Sequence, residues 1–542
     1  MIATSHREQG AAIAIETRGA SSWVRWFVPL ILASAASRAV ILASSAVQLT
    51  PDSPGYHDLA SDLLHRNLAD DPGERTPVYP TLLALCGLHL DAVRLVQMAL
   101  GLGITAAIFA LTWRATHRAP VATLAAACYG LSISAALHEN AILTETLATA
   151  LIVAVVCLIA AMFDGWRTAS GDRRLRADCK TVPSPLVRSH RRRDLMLTLT
   201  FGRWRAGALW AVGGEELKPP LKPTLPGTTR ITLAVSAIAG MIALTRPLYA
   251  FLPLVLLLPF LLHARAIRAR CAVIAQWICC LLLPALLLIG GWSAYNAARF
   301  GVFAPTVLTG YNLSNHSGGF IEDAPERDAP LRDVYLRYRD ETIRETGSPV
   351  TTIWAARPEL LARTGLTNAQ LSQAFTSLSL RLFLHHPVRY GRSVLVSWAR
   401  FWNSPGTPRW DGARDATVGR VVGAAWMAQR CVFVALNVAF LLLTLMAASV
   451  RRVRRWWSPS PLIVTLCAIV WAASIVQALL ERGSNTRFGV PTQPLVAYVV
   501  IVSAAPLLGA AWRTRPWRPS CDTDSAVQQS HPREITRNEE PV

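Results

Sequence analysis

The residue best placed to do chemistry is Asp52, which follows the first long apolar segment in the run Leu49-Thr50-Pro51-Asp52-Ser53-Pro54-Gly55-Tyr56-His57. A carboxylate at a membrane surface is partly desolvated, and it suits a general base that takes a proton from an acceptor hydroxyl. The alternative is a helix cap, because aspartate before a Pro-Gly turn commonly caps the next helix. Spacing alone favours the cap and leaves the base open.

Three arginines form a second group of candidates. Arg75 precedes two prolines and the apolar run 81–85, which is too short to span a membrane and is expected to lie along the interface. There Arg75 would either bind an anionic lipid headgroup through two parallel hydrogen bonds or extend its side chain among phospholipid phosphates. Arg246 and Arg487 fall on the side of the predicted membrane where arginine is rare. Together the three predict an anionic ligand.

Two charges stand inside or beside apolar segments. Arg38 lies within the first segment and needs a partner or a water-filled cavity. We expect either a buried ion pair with Glu145, near the start of the fourth segment, or a role in substrate binding. Glu139 is expected to cap a short outer turn or to be a solvated loop charge.

The elements that must position these residues are membrane helices. The chain has 542 residues, of which 52% are hydrophobic and only 16% charged, with a mean hydropathy of +0.32. We predict an all-α integral membrane protein with about ten transmembrane helices. The predicted spans are residues 23–47, 92–113, 120–137, 141–163, 231–244, 249–262, 271–294, 421–448, 462–480 and 494–512. The Ala-Ser-rich first segment also resembles a signal peptide, but it is long and contains Arg38, which favours a retained helix.

Charge indicates the orientation of these spans. The net charge of +20 comes from arginine clusters in alternate connections, so it indicates membrane topology rather than nucleic-acid binding. The connections that contain the arginine clusters are predicted to be cytoplasmic, as are both termini. The chain is accordingly predicted to be a multi-pass protein of the inner (plasma) membrane. The opposite connections carry acidic or mixed charge.

This topology divides the chain into parts. They are a cytoplasmic head (1–22), an N-terminal transmembrane module (23–163) with a catalytic external loop (48–91), a basic cytoplasmic insert (164–230), transmembrane helices 5–7 (231–294), an external region (295–420), transmembrane helices 8–10 (421–512) and a disordered cytoplasmic tail (513–542). The insert is expected to be partly disordered. In the external region, residues 334–346 and 368–400 are predicted to be helical and the Gly-rich stretch 309–320 to be a loop.

An ordered set of motifs resembles a known family. The set is Asp52 with Tyr56; Arg75-Thr76-Pro77-Val78-Tyr79-Pro80; Leu143-Thr144-Glu145; Gly240-Met241-Ile242-Ala243-Leu244-Thr245-Arg246-Pro247; and Trp292-Ser293-Ala294-Tyr295-Asn296 followed by Gly310-Tyr311-Asn312-Leu313. It is similar to the bacterial polytopic glycosyltransferases of the C-type superfamily, relatives of protein O-mannosyltransferases and the lipid A aminoarabinose transferase. Ala294-Tyr295 replaces the basic residue that relatives show, which weakens a role for that position.

The resemblance implies transfer of a sugar, with inversion, from a polyprenyl-phosphate carrier to a hydroxyl of a lipid, glycan or protein at the external leaflet. On this basis the catalytic candidates are Asp52 and Glu145. The donor phosphate candidates are Arg75, Arg246, Arg487 and Arg38, and Tyr56, Tyr79 and Asn312 are candidates for binding donor or acceptor. The sequence requires no cofactor. It lacks the acidic pair that some relatives carry at Asp52, which puts divalent metal use in doubt and leaves it unknown.

A secondary transporter is the main alternative. Arg38 and Glu145 inside a helical bundle would suit an anion carrier or a proton-coupled carrier. Carriers commonly contain inverted repeats, whereas the two halves of this chain differ in loop size and motif. An inactive scaffold or a lipid-binding protein is the third interpretation.

Overall fold

The computed structural model describes residues 3–68, 71–180, 226–267, 269–406, 416–483 and 485–513. In chain order, the helices are α1 Ala3–Ser44, α2 Ser53–His65, α3 Val78–Leu85, α4 Leu90–Thr116, α5 Ala119–Gly130, α6 Ile133–Asn140, α7 Glu145–Lys180, α8 Pro226–Ala243, α9 Leu252–Val255, α10 Leu257–Ala266, α11 Cys271–Phe300, α12 Thr309–Ser317, α13 Ala329–Thr346, α14 Thr352–Thr364, α15 Asn368–His385, α16 Pro387–Phe401, α17 Ala416–Ser449, α18 Arg451–Trp457, α19 Pro461–Leu480, α20 Asn485–Phe488 and α21 Gln493–Arg513. Short 3-10 turns cover Pro247–Phe251, Gly318–Asp323, Glu326–Asp328 and Val490–Thr492.

The prediction of an all-α membrane protein is confirmed for these ranges, which contain helices and no strand. Within the described residues, eight helical segments are long and apolar enough to cross a membrane, and the pair α5 and α6, bent by 43°, would make nine. A shorter apolar stretch, Thr228–Ala243, lies in α8. Large apolar side chains such as Leu283, Leu286 and Leu287 are more than half exposed on α11. Such surfaces belong in lipid, so the chain is a multi-pass membrane protein.

Each of the ten predicted segments coincides with helix, but two are interrupted. The third is broken between α5 and α6, where Ser132 caps the second helix by accepting a hydrogen bond from Ala135 N. The sixth consists of the 3-10 turn Pro247–Phe251 followed by α9 and α10. Pro247 and Pro253 lack the N–H group that a continuous helix needs, which accounts for this interruption.

Residues 301–406, here called the extramembrane region, have their own hydrophobic core. Tyr311, Tyr335 and Phe375 are fully buried in it. The prediction of a loop at 309–320 is wrong, because this stretch is α12 followed by the 3-10 turn Gly318–Asp323. A side chain at Gly310 would overlap the Ser372 carbonyl of α15, so this glycine serves close helix packing rather than a turn.

Other predictions for soluble parts have mixed outcomes. The predicted helix 334–346 is confirmed within α13, whereas the predicted helix 368–400 is two helices, α15 and α16, divided at His386. Of the basic insert, residues 181–225 lie outside the described residues, as does the tail beyond 513. The chain divides into a unit of residues 1–503 and a short unit from Ala504, in which the last helix continues to Arg513.

Candidate functional site: a chain of ion pairs around Asp52

A backbone pairing brings the loop before Asp52 next to the segment before Glu145. Gln48 N donates to Asn140 O at 3.0 Å, and Ile142 N donates to Gln48 O at 3.0 Å, which forms an isolated parallel bridge. Ser53 Oγ adds a bond to Ile142 O at 3.0 Å. Asp52 and Glu145 each lie four residues beyond the bridged positions, so both carboxylates reach the same region.

Asp52 occupies the N-cap position of α2, but its side chain makes no capping hydrogen bond. The expectation of a capping aspartate is therefore wrong for its carboxylate. Arg75 Nη2 donates to Oδ1 at 2.9 Å, and Arg487 Nη1 donates to Oδ2 at 2.6 Å. Burial alone would raise the pKa of Asp52, but the two guanidinium groups outweigh burial and lower it to about 2.

Arg75 is held from several sides. Its guanidinium lies over the Tyr56 ring, 4.7 Å from the centroid. A methyl group on Gly55 would come within 3.0 Å of Arg75 Nε, so the glycine lets the arginine cross the first turn of α2. The neighbouring Glu74 accepts hydrogen bonds from two residues of the extramembrane region, Arg357 at 2.7 Å and Asn368 at 2.9 Å. The extramembrane region thereby fixes the segment that carries Arg75.

Arg487 connects the two carboxylates, since it donates to Asp52 through Nη1 and to Glu145 through Nε. Its segment is anchored at the preceding residue: Thr486 O accepts from Ser404 Oγ at 3.0 Å and from Gly406 N at 3.1 Å. A side chain at Gly489 would overlap Ser404, so glycine is needed for this close approach.

Arg246 forms the last of these ion pairs, at the more deeply buried end, which is called the inner end below. Its Nη1 is 3.1 Å from Glu145 Oε1, and its guanidinium lies 4.8 Å from the centroid of the Phe488 ring. The backbone before it is tied to the Arg75 segment, because Val78 N donates to Leu244 O at 3.3 Å. Arg75, Arg246 and Arg487, which come from distant parts of the sequence, therefore meet at one place.

We call these five residues the ion-pair chain: Arg75, Asp52, Arg487, Glu145 and Arg246. The exposed fraction of the side chain falls along it, from 31% for Asp52 to 0% for Glu145, with Arg246 at 6%. Asp52 is therefore partly accessible to solvent, whereas Glu145 and Arg246 are buried. The three guanidinium groups and two carboxylates of the ion-pair chain leave one net positive charge in a partly desolvated place, which favours an anion.

Arg38 lies elsewhere, and the expected pair with Glu145 is wrong. Its partner is Glu139, which accepts from Arg38 Nε and Nη2 at 2.7 Å each. Arg38 Nη1 donates to Ser34 and to the Gly130 carbonyl. Glu139 is fully buried, so the expectation of a solvated or capping loop charge is also wrong. Each guanidinium nitrogen of Arg38 thus has an acceptor within the helical bundle.

Of the three candidates for binding donor or acceptor, two tyrosines lie beside the ion-pair chain and the asparagine lies in the extramembrane region. Tyr56 and Tyr79 pack edge to face with centroids 5.1 Å apart beside Arg75, and Tyr79 donates to Gln97 at 3.0 Å. Asn312 is half-buried on α12, in the extramembrane region. Within the described ranges, no hydrogen bond or ion pair joins its side chain to the ion-pair chain.

Two further residues belong to the inner end and were missed from the sequence. His138 and Tyr249 are buried and interact electrostatically with both Glu145 and Arg246. His138 stands next to Glu139 in a segment that we expected to be a surface turn, and Tyr249 stands in an apolar run. Only the proximity of Tyr249 to Arg246 in sequence hinted at a role.

Neither a metal centre nor a known relative identifies this site. Among the described residues, no group of three or more His, Cys, Asp or Glu side chains is placed to hold a metal ion. No protein-family model matches the chain, and no curated protein matches it. The functional argument therefore depends on the geometry of the ion-pair chain.

Proposed function

We propose that the protein is a membrane glycosyltransferase that moves a sugar from a polyprenyl-phosphate donor to an acceptor hydroxyl of a lipid, glycan or protein. The observation that carries the proposal is Asp52, a partly exposed carboxylate held by two arginines of a chain of charges that is net positive. In the proposed topology the ten spans place both termini in the cytoplasm and the ion-pair chain at the external leaflet of the plasma membrane.

Unused donor groups support an anionic ligand. Arg75 Nε and Arg246 Nη1 are buried, and neither has a hydrogen-bond partner in the part of the chain that the structure describes. A buried donor without a partner costs about 1–3 kcal/mol, so a phosphate that accepts these bonds would be bound favourably. A phosphate bearing a lipid chain fits the place, since α3, the helix that follows Arg75, exposes the apolar side chain of Leu85.

The proposed reaction assigns one task to the carboxylate of Asp52 and another to the three arginines of the ion-pair chain. Asp52 accepts the proton of the acceptor hydroxyl as its oxygen attacks the anomeric carbon. The bond between that carbon and the phosphate oxygen breaks, and the electron pair leaves with the polyprenyl phosphate. Arg75, Arg246 and Arg487 stabilise the negative charge that develops on the leaving phosphate. The products are the glycosylated acceptor, the polyprenyl phosphate and a protonated Asp52.

Donor binding would also make Asp52 a better base. With a pKa of about 2, the carboxylate is ionised at neutral pH but is a weak proton acceptor. A phosphate competes for Arg75 and Arg487, the two groups that lower this pKa. Proton abstraction would therefore become easier only when the donor is in place.

Glu145 acts through the arginines rather than on the reacting atoms. It is fully buried and bonded to Arg487, with Arg246 Nη1 at 3.1 Å. Its carboxylate offsets part of the positive charge and fixes both guanidinium groups in position. We therefore assign Asp52 as the catalytic base and Glu145 as a positioning residue.

The test is donor turnover by the purified protein in lipid. A panel of radiolabelled polyprenyl-phosphate sugars is supplied with lipid extract as acceptor, and the loss of donor and the release of polyprenyl phosphate are measured. Turnover of at least one donor, lost in Asp52→Asn, is expected. If no donor is consumed while the reconstituted protein takes up an anion, the transporter interpretation is correct and the proposal is wrong.

A further inference from the structure

The inner end of the ion-pair chain contains four buried polar atoms that have no hydrogen-bond partner among the described residues. They are Glu145 Oε2, His138 Nε2, Arg246 Nη1 and Tyr249 Oη. None of the four residues is more than 6% exposed. Each such atom costs about 1–3 kcal/mol, and four in one place is far from the rule that buried polar groups are bonded.

These atoms belong to one cluster. Arg246 Nη1 is 3.1 Å from Glu145 Oε1, in an ion pair whose geometry does not make a hydrogen bond. His138 interacts electrostatically with Glu145, Arg246 and Arg487, and Tyr249 with Arg246 and Glu145. Tyr249 N donates to Arg246 O at 3.0 Å, which holds the tyrosine one turn beyond the arginine.

The tautomer of His138 defines what its free nitrogen can do. Nδ1 lies 2.7 Å from Ser134 O, and a carbonyl only accepts, so Nδ1 carries the proton and donates. Burial disfavours a second proton on Nε2, and with the positive charges of Arg487 and Arg246 it outweighs the favourable effect of Glu145. Nε2 is therefore an acceptor.

The four atoms thus comprise two acceptors, Glu145 Oε2 and His138 Nε2, and two donors, Arg246 Nη1 and Tyr249 Oη. A phosphate alone, which only accepts at its ionised oxygens, would leave both acceptors without a partner. A group with several hydroxyls both donates and accepts, and a sugar is such a group. The pattern of unpaired atoms therefore matches a sugar attached to a phosphate better than a bare phosphate.

We propose that the inner end of the ion-pair chain is the pocket for the donor sugar, in which His138 and Glu145 accept hydrogen bonds from its hydroxyls and Tyr249 donates to one of its oxygens, while Arg246 donates to the attached phosphate. This inference rests on the proposed function, and it adds His138 and Tyr249 as specificity-determining residues. It also gives the order of the bound donor: sugar at the buried end, phosphate between Arg75, Arg246 and Arg487, and lipid chain toward the membrane.

The test compares two kinds of probe that share one lipid chain. Farnesyl phosphate and its esters with glucose, mannose, N-acetylglucosamine and arabinose are titrated into the protein in detergent, and the dissociation constants are measured. At least one ester is expected to bind more tightly than farnesyl phosphate. In Tyr249→Phe, the affinity for that ester falls by about 2- to 13-fold, the range that one hydrogen bond supplies, while the affinity for farnesyl phosphate is unchanged. His138→Phe is expected to show the same selectivity.

Thermal unfolding distinguishes recognition from a structural role. The Tyr249 hydroxyl has no hydrogen-bond partner among the described residues, so Tyr249→Phe should leave the Tm measured without probe unchanged or raised. The matched control is Tyr335→Phe, because the buried Tyr335 hydroxyl donates to the Ser314 carbonyl at 3.3 Å in the extramembrane region. Tyr335→Phe should lower the Tm and leave the affinities of both kinds of probe unchanged.

Three results would overturn the inference. If every ester binds no more tightly than farnesyl phosphate, the pocket holds water rather than sugar. If Tyr249→Phe and His138→Phe weaken both kinds of probe equally, the two residues act on the fold. If neither farnesyl phosphate nor any ester binds, the proposed function fails as well, whereas binding of farnesyl phosphate without discrimination contradicts only the sugar pocket.

Discussion

Two sets of arginines and carboxylates lie within the helical bundle, and they differ in how completely they are bonded. Arg38 and Glu139 form a closed pair: every guanidinium nitrogen has an acceptor, and both carboxylate oxygens accept from Arg38, with Tyr129 adding a bond to Oε1 at 3.1 Å. In the ion-pair chain, Arg75 Nε, Glu145 Oε2 and Arg246 Nη1 have no hydrogen-bond partner within the described ranges. A fully bonded pair stabilises the fold, whereas the ion-pair chain has donor and acceptor atoms that remain available to bind a ligand.

The surroundings of the two sets agree with this distinction. A side chain at Gly101 or Gly130 would overlap Glu139, Thr105 or Ser34, so helices α4 and α5 enclose the closed pair tightly. Asp52 and Arg487 of the ion-pair chain retain side-chain exposures of 31% and 24%. Identical residue types thus serve structure in one place and, in our proposal, chemistry in the other. The following predictions test that difference.

The largest effect is expected at Asp52. Asp52→Asn keeps the shape of the side chain and removes its ability to accept a proton. Donor turnover should fall by about 10²- to 10⁴-fold, the range for a lost general base. Asp323→Asn is the matched control and should retain turnover, because Asp323 is as exposed as Asp52 and pairs with Arg389 in the extramembrane region. Full turnover by the Asp52→Asn protein would mean that Asp52 is not the base.

The closed pair should affect stability instead. Glu139→Ala leaves Arg38 buried without a counter-charge, which typically costs about 3–5 kcal/mol of unfolding free energy. The double variant Arg38→Met with Glu139→Leu removes both charges and should recover most of that loss. Denaturant unfolding in detergent measures the difference. Equal stability of the single variant and the wild-type protein would show that the pair is dispensable.

A smaller effect is expected where the extramembrane region holds the Arg75 segment. Glu74→Gln replaces the charged partner of Arg357 and Asn368 with a neutral one. We expect the affinity for decaprenyl phosphate to fall by about 3- to 10-fold, because Arg75 is less well positioned and loses only part of the ~1.5–3 kcal/mol that a charged hydrogen bond contributes. Glu326→Gln is the control, since Glu326 is an exposed partner of Arg332 within the extramembrane region. Equal losses in both variants would contradict a positioning role.

The smallest effect concerns Glu481, which precedes the Arg487 segment and accepts from Asn315 at 2.9 Å. Burial raises its pKa from the ordinary value of 4.5 to about 7, although the bonds from Gly483 and Asn315 partly offset this. Folding therefore takes up a proton between these values, so the stability that Glu481 contributes is present below pH 4.5 and is lost as the pH rises through 7. Glu481→Gln should raise the Tm more at about pH 8 than at about pH 5. A Tm difference that does not change with pH would contradict the raised pKa.

The sequence predicted the helices better than the contacts between them. Apolar length predicted helix correctly in each of the ten segments, because the membrane thickness sets that length. Among the described residues, eight helical segments are long and apolar enough to span a membrane by themselves. Proline positions account for the broken sixth segment. The helix at 309–320 was missed, since Gly310 and the two glycines after Ser317 resemble a loop unless the close packing on α15 is known.

The site was predicted in part. The order of the motifs, and the side of the predicted membrane on which each charge falls, indicated Asp52, Arg75, Arg246 and Arg487. The structure brings these four residues together with Glu145. The partner of Arg38 was assigned incorrectly, because Glu139 and Glu145 are six residues apart and only the bend between α5 and α6 decides which one faces α1. His138 and Tyr249 show no charge pattern, and only their unpaired atoms in the folded protein mark them.

The most direct test of the ion-pair chain is the affinity of decaprenyl phosphate for Arg75→Gln and for the control Arg381→Gln. Arg381 also pairs with one carboxylate, that of Asp328, and its Nε is also buried without a partner, but it lies in the extramembrane region. We predict that Arg75→Gln weakens binding by about 10- to 100-fold, as expected for a charged hydrogen bond to phosphate, and that Arg381→Gln leaves it unchanged. Equal affinity of wild-type protein and Arg75→Gln would contradict the assignment of the ion-pair chain as a lipid-phosphate site.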